Sequence, residues 1–512
     1  MKTKIFNSIF ALISGILLFS CSLEEVPISE PTPDAIYSTA SGIRDGVNGV
    51  YSNLRDLYGS QAGFTMTTMG TDIFRHGKDG GYKAMDRYGT DFNSSLGYVE
   101  DIWEICYRGI NSANTILDRI DLVEMPDSDK TRYKAEVRFL RAHFYYWLTI
   151  QYGDVVLRNT ETKGVITDDV RTDRALVWEF MREDAEFAVE NLDWSNTDYG
   201  RATKGAALHQ LAEILLLVED YIGAEQAGKQ LIQEGPNSLL DSYSDIFEYD
   251  NQINDEVVFA VQYINDPLNN ANGNQGHLFF TPAYDQFPGL TRDLTQGGRP
   301  WTRFRPTQFY RELFEDNDTR FDVTFRYTWT YNNEATLPEG AQIGDTVVWE
   351  TTPGEFSFIA PNTDQMHWGV KKHDDPTRAS FQDTRGFRDF FVYRLSETYL
   401  VVAEALMGQN KLQEAADYIN VVRARAAEQG STMVQVSANE VDIDFILDER
   451  ARELGGEAQR WMDLARTGKL QERVSMYNEN ATPNIKAFHG LRPIPQSQID
   501  LSTNSFPQNE GY

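Results

Sequence analysis

Apolar positions recur at helical spacing through much of the chain, and they do so most regularly near its C-terminal end. Between residues 393 and 426, Leu395, Tyr399, Val402, Ala403 and Leu406 fall on one face. Leu412, Ala415, Ala416, Ile419, Val422 and Ala426 fall on another. The i, i+3, i+4, i+7 spacing predicts two short amphipathic helices joined by a tight turn, with Gly408 as the C-terminal cap of the first. Residues 204–234 repeat the arrangement. There Leu208, Leu211, Ala212 and Leu215 face Ile222, Ala227, Gly228 and Leu231, and Gly235-Pro236 stops the second helix. The same periodicity predicts longer helices over 37–58, 99–122, 133–152 and 174–192.

Elsewhere the periodicity lapses. Residues 60–97 are rich in Gly and aromatics and read as one long loop, a length that usually signals function. Residues 256–263 read as a strand. From 265 to 389 the chain is rich in Asn, Gly, Pro, Thr and aromatics, which predicts an irregular insertion with short strands. The tail from 491 to 512 is Pro-punctuated and extended. A helical hairpin with alanines at its crossing points is the sequence form of a tetratricopeptide-type unit, which buries its apolar face only against neighbours. The predicted fold is mainly α: a tetratricopeptide-like scaffold formed by residues 36–264 and 390–512, carrying the loop-rich, short-stranded insertion 265–389 as part of one unit.

The N-terminus is set apart from the fold. Lys2 and Lys4 precede an apolar run from residue 5 to 19 that is short for a membrane span. Residues 1–20 therefore read as a signal peptide. The run closes on Leu18-Phe19-Ser20-Cys21, which resembles a bacterial lipoprotein box, so Cys21 is the expected lipidation site and residues 21–35 a lipidated tether. The acidic Ser22-Leu23-Glu24-Glu25 resembles the signal that directs some lipoproteins to the outward face of the outer membrane. Cys106, the other cysteine, falls on a helical stripe and is expected to be a buried small hydrophobe. The net charge of -30 argues against nucleic acid as a partner, because binding it depends on neutralising phosphates.

Enzyme signatures are lacking: the chain has no Gly-x-Ser-x-Gly, His-Glu-x-x-His, P-loop, Rossmann glycine pattern or Cys-x-x-Cys. No cofactor and no metal is expected. Asp316, Asp318 and Asp322 lack the glycine and terminal Glu of a calcium loop. His367 and His373, beside Asp374 and Asp375, have no zinc spacing, so both groups read as solvated loop charges. The alternation of Glu449, Arg450, Arg452, Glu453, Arg460, Asp463 and Arg466 with Leu454, Trp461 and Leu464 reads as packed helices tied by arginine–carboxylate pairs.

Several segments taken in order resemble the SusD/RagB family of surface lipoproteins: AEVRFLRAHFYYWLTIQYGDVVL, GGRPWTRFRPTQFYRELFEDNDTRFD, YRLSETYLVVAEAL, ERARELGGEAQRWMDLARTGKL and LRPIPQSQID. The resemblance implies a lipid-anchored protein facing outward on the outer membrane. It would act as a hinged lid over a SusC-like TonB-dependent transporter, and capture oligosaccharides for import without bond-breaking chemistry. Peptide capture, as in the RagB branch, is the alternative within the family. A secreted glycoside hydrolase and a free-standing tetratricopeptide adaptor are the alternatives outside it. Pyranose rings stack on aromatic faces, and their hydroxyls want Asp, Asn or Arg beside the ring. Two loop regions supply these groups: Asp72, Arg75, His76, Tyr82 and Tyr88 in the first, and Phe287, Arg292, Trp301 and Arg303 in the second. These are the candidate ligand-binding residues.

Overall fold

The computed structural model describes residues 33–266, 270, 272–349 and 363–512. Cys21 and the rest of the predicted signal and tether up to residue 32 lie outside the described residues. No described helix is long and apolar enough to cross a membrane.

The predicted helices form, with altered ends. Helix α1 (Ala40–Ser52) starts at Thr39, whose hydroxyl accepts the Gly42 amide at 3.1 Å, and it breaks at Asn53 before one further helical turn, Leu54–Leu57, carries the chain to Tyr58. The stretch 60–97 is not one loop. It opens with α2 (Gln61–Thr68), capped by Ser60, and continues into strand β1 (Phe74–His76). Helix α2 escapes periodicity because Gly63 through Thr68 are all buried, so it has no polar face to mark. Helix α3 (Gly97–Leu117) packs on α4 (Asp127–Tyr152), which packs on α5 (Arg174–Asn191). Helix α4 begins six residues before the apolar stripe, because its first turn is solvated and carries Asp127 and Asp129. Arg141 locks α4 to α5 through a two-pronged contact with Asp184, 2.8 Å on each side.

The two helical hairpins are present and lie against each other. The first is α6 (Lys204–Leu217) with α7 (Tyr221–Glu234), and the second is α8 (Leu395–Gly408) with α9 (Leu412–Ala426); α7 packs on α8. Both hairpins turn in the same way. Glu219 takes φ 58° and Asn410 φ 60°, while the next amide reaches back to the helix, Asp220 to the Leu215 carbonyl and Lys411 to that of Leu406, each at 2.9 Å. The left-handed cap is thus Asn410, not Gly408. Gly408 serves packing instead: a Cβ there would meet the Tyr221 ring at 2.6 Å, just as one on Gly228 would meet Val402 at 2.4 Å. Helix α8 is buried almost all round, Glu397 and Thr398 included, and not along one stripe, because α6, α7, α9 and α10 (Ile443–Leu454) surround it.

Strand β2 (Val257–Val261) pairs antiparallel with β8 (Phe390–Arg394) and brings the two ends of the insertion together. Within the insertion, β4 (Phe325–Arg326) pairs with β7 (Gly369–Val370), and β5 (Thr328–Thr330) with β6 (Thr346–Val348). A separate apolar cluster of Tyr284, Leu290, Trp329, Tyr331, Val347 and Trp349 holds the outer part of the insertion.

A buried ionic network fastens the insertion to the helices. Arg320 contacts Asp318, Glu449 and Glu453, while Arg394 contacts Glu256, Glu453 and Glu457. Burial alone would raise the Glu449 carboxyl, but Arg320, Arg452 and Arg423 outweigh it and hold the group at about 2. The expected arginine–carboxylate ties among residues 449–466 are therefore present. Helix α11 (Arg460–Arg466) joins them through Arg466 to Glu404, and α12 (Leu470–Tyr477) follows it.

The expectation of solvated charges at the two metal-like clusters fails in part. Asp318 is buried on Arg320. His367 and His373 are buried too, His373 between the rings of Phe280 and Phe390 and 2.8 Å from the Gly456 carbonyl oxygen. Cys106 is buried, and burial pushes its thiol well above the usual range.

Candidate functional site

The two loop regions singled out by composition are joined by main-chain pairing. Strand β1 pairs antiparallel with β3 (Phe304–Pro306) in the register Phe74↔Pro306, Arg75↔Arg305 and His76↔Phe304. Beyond the ribbon the Gly77 amide donates to the Arg303 carbonyl at 2.8 Å. On the other side, Trp301 and Arg303 donate to the carbonyls of Leu278 and Phe279 at 2.9 and 2.8 Å. Between them Thr302 is held at φ 51°, a left-handed conformation that a β-branched residue adopts at a cost of about 1–3 kcal/mol. The reversal sets Trp301 and Arg303 side by side, with the guanidinium 4.9 Å from the indole centroid.

Tyr82 completes the face, backed by Tyr98, which is buried against it. Their rings stack with centroids 3.3 Å apart and planes 22° from parallel. The Gln61 amide, oriented so that its oxygen faces both donors, accepts from the Tyr98 hydroxyl at 2.7 Å and from Arg303 Nη1 at 3.1 Å. Burial, reinforced by the hydrogen bond with Tyr82, pushes the Tyr98 phenol well above its ordinary range and keeps it neutral. Tyr82, Trp301, Arg303 and Gln61 are all half-buried, so each fixes part of itself in the fold and shows part to solvent. Exposed Lys78 extends the rim. Its Nζ donates to Gln365 Oε1 at 2.6 Å, and Gln365 donates in turn to Gln286.

Of the candidates named from sequence, Tyr82, Trp301 and Arg303 are brought together here. Phe287 and Arg292 lie on the neighbouring segment of the insertion, Phe287 against Trp349 and Arg292 on Asp285 at 2.7 Å. They border the face through Gln286.

Four others are placed differently. Asp72 is fully buried, and Arg460 and Arg473 hold its carboxyl below the usual range despite burial. Tyr88 is buried and donates to the Gly70 carbonyl at 2.7 Å. His76 is buried beside Asp86. These three are structural, because nothing of them is left for a ligand. Arg75 pairs with Glu479 and lines a different groove, of about 460 Å³, with Phe309 and Tyr477. Tyr98, Gln61, Lys78 and Gln365 escaped the sequence reading. Tyr98 sits in the first turn of α3 and falls between the expected loop and helix, although an aromatic where a loop enters a helix was the available signal.

Chemically the face offers aromatic surface for stacking and neutral or cationic donors around it, on a protein that is acidic overall. The chain matches the SusD family over residues 255–512, and a second family described as "Starch-binding associating with outer membrane" over residues 41–216. The chain belongs to the SusD family. It is 27% identical to SusD-like protein P25 of Formosa agariphila over 547 residues, covering 99% of this chain and 100% of that one. Among solved structures it is similar to a laminarin binding SusD-like protein, with TM-score 0.75 and 23% identity over 93% of this chain and 100% of that one. It is also similar to surface glycan-binding protein A from Bacteroides thetaiotaomicron in complex with laminarihexaose, with TM-score 0.72 and 20% identity over 92% and 100%.

Proposed function

We propose that this protein is a cell-surface glycan-binding lipoprotein, anchored through Cys21 in the outer leaflet of the outer membrane. In this reading it captures oligosaccharides and delivers them to a SusC-like TonB-dependent transporter. The observation that carries it is the face on which two distant loops place Tyr82, Trp301 and Arg303 together, with buried Tyr98 behind Tyr82. A pyranose CH face stacks on the exposed ring surface, and its hydroxyls find Arg303, Gln61 and Lys78. Phe287 and Arg292 stand as outlying contacts for a longer chain. The groups do this without a covalent step, so binding and release complete the cycle at this site. The similarity to proteins named for laminarin and glycan binding supports a saccharide over a peptide.

Affinity electrophoresis against a panel of neutral and acidic polysaccharides tests the reading. Retardation by at least one glycan, lost when Trp301 and Tyr82 are both replaced by Ala, is the expected result. No retardation by any glycan together with binding of peptides overturns it in favour of peptide capture, and release of shortened products from a bound polysaccharide overturns the non-covalent mechanism. Co-purification of the full-length lipoprotein with a transporter from outer membranes tests the delivery step.

A further inference from the structure

The two hairpins meet around a buried cluster that the glycan face does not use. On α6, His209 and Glu213 are one helical turn apart and point the same way. Glu397 comes from the first turn of α8. His209 Nε2 lies 3.9 Å from Glu213 Oε2 and 3.5 Å from Glu397 Oε2, and one donor atom from each residue fits within 4.8 Å of the others. Ligands about 2.0–2.1 Å from a tetrahedral zinc-class ion are separated by about 3.4 Å, close to these spacings.

Three independent features point to an occupant. His209 is fully buried, Thr398 Oγ1 holds its Nδ1 at 2.8 Å, and its Nε2 has no hydrogen-bond partner. Arg450 Nη1 is likewise buried without a partner, and Arg450 lines with Glu213, Tyr146, Tyr393 and Gln459 a cavity of about 30 Å³, room for one water. The charges do not balance either. Arg450 pairs with Glu397 and Asp463, and Arg466 with Asp463 and Glu404, which leaves Glu213 without a guanidinium. With all four ionised, the carboxylates face two guanidiniums in a buried region, a shortfall of two positive charges.

We propose that His209, Glu213 and Glu397 form a structural site for one divalent cation of the zinc class, with a water in the fourth position. The cation supplies the two missing charges, His209 Nε2 gains its partner, and the water accepts from Arg450 Nη1. Outer contacts orient the ligands: Thr398 on His209, and Gln459 and Arg450 on Glu397 at 3.1 and 2.7 Å. The ion would pin α6 to α8, and so one hairpin to the other. Local spacing in the sequence gives no sign of a metal here, because Glu397 is 188 residues from His209. This inference does not depend on the glycan reading.

The test uses the mature chain refolded with one equivalent of Zn²⁺, passed through gel filtration and assayed by elemental analysis, with thermal melts in the presence and absence of EDTA. The expected result is one zinc per chain and a fall in Tm on chelation. Glu213→Gln, which keeps the side-chain shape, should lose the zinc and the EDTA response together. Cobalt loading should give the visible absorption of a tetrahedral site in the wild type only. Three results overturn the proposal: a wild type without stoichiometric metal, a melt indifferent to EDTA, or zinc retained by Glu213→Gln. The first two would mean that protons on the carboxylates neutralise the cluster instead, and the third that the ion sits elsewhere. Should Glu213→Gln fail to fold, His209→Gln, with the same expected loss of zinc and of the EDTA response, decides instead.

Discussion

Arg460 grips Asp72 with two parallel contacts, Nε to Oδ1 at 2.8 Å and Nη2 to Oδ2 at 2.5 Å, across 388 residues of chain. Arg473 adds a third at 2.8 Å. The Asp72 carboxylate is therefore a fastener between the N-terminal part and the C-terminal helices. Asp72→Asn leaves two buried guanidiniums short of their counter-charge and should destabilise the protein by about 3–5 kcal/mol in urea unfolding. The glycan affinity of the folded fraction should stay unchanged; a selective loss of affinity without loss of stability would return Asp72 to the ligand site.

Trp301 is the opposite case. It is half-buried, and replacing it by Ala removes a stacking surface and the partner of the Arg303 guanidinium. Glycan affinity should drop about tenfold or more by isothermal titration calorimetry, with Trp301→Phe in between, while the unfolding midpoint shifts only slightly.

The first hairpin turns through Glu219 in a left-handed conformation that glycine adopts freely. Glu219→Gly should therefore stabilise the chain by about 0.5–1 kcal/mol, read as a rise in Tm, because relief of the turn outweighs the added freedom of the unfolded chain. The mirrored change at Asn410 should gain less, since asparagine already tolerates that region.

Asp389 gives a pH signature. Burial pushes its carboxyl up to about 6, against the hydrogen bond it accepts from the Tyr263 amide and the pull of Arg388 and Arg55. Its folded value exceeds its unfolded one, so the folded state holds more protons between about pH 4 and 6. Its contribution to stability falls as pH rises through that window and is fully lost above it. Asp389→Asn should thus be more stable than the wild type at pH 7.5, by about 1–2 kcal/mol after allowance for partial solvent screening, and nearly equal to it at pH 4.

The scaffold was legible where helices keep a polar side. Residues 204–234 and 393–426 announced both hairpins, and the charged run from Glu449 to Arg466 announced its own pairing. Helix α2 and the first turn of α4 were missed for opposite reasons, one buried from Gly63 to Thr68 and the other largely solvated, so neither carries an amphipathic stripe. For the candidate site, composition located both loops but could not rank residues within them. Whether an Asp or a Tyr in a glycine-rich loop faces in or out depends on partners such as Arg460 and Gly70, which only the tertiary pairing supplies.

The short β1–β3 ribbon is extended at its N-terminal side by the Thr307 hydroxyl, which donates to the Asp72 carbonyl across 235 residues. Neither half of the aromatic face can therefore be displayed alone. Tyr82 meets Trp301 and Arg303 only once these two distant strands have paired, so the face belongs to the assembled chain and to neither loop by itself.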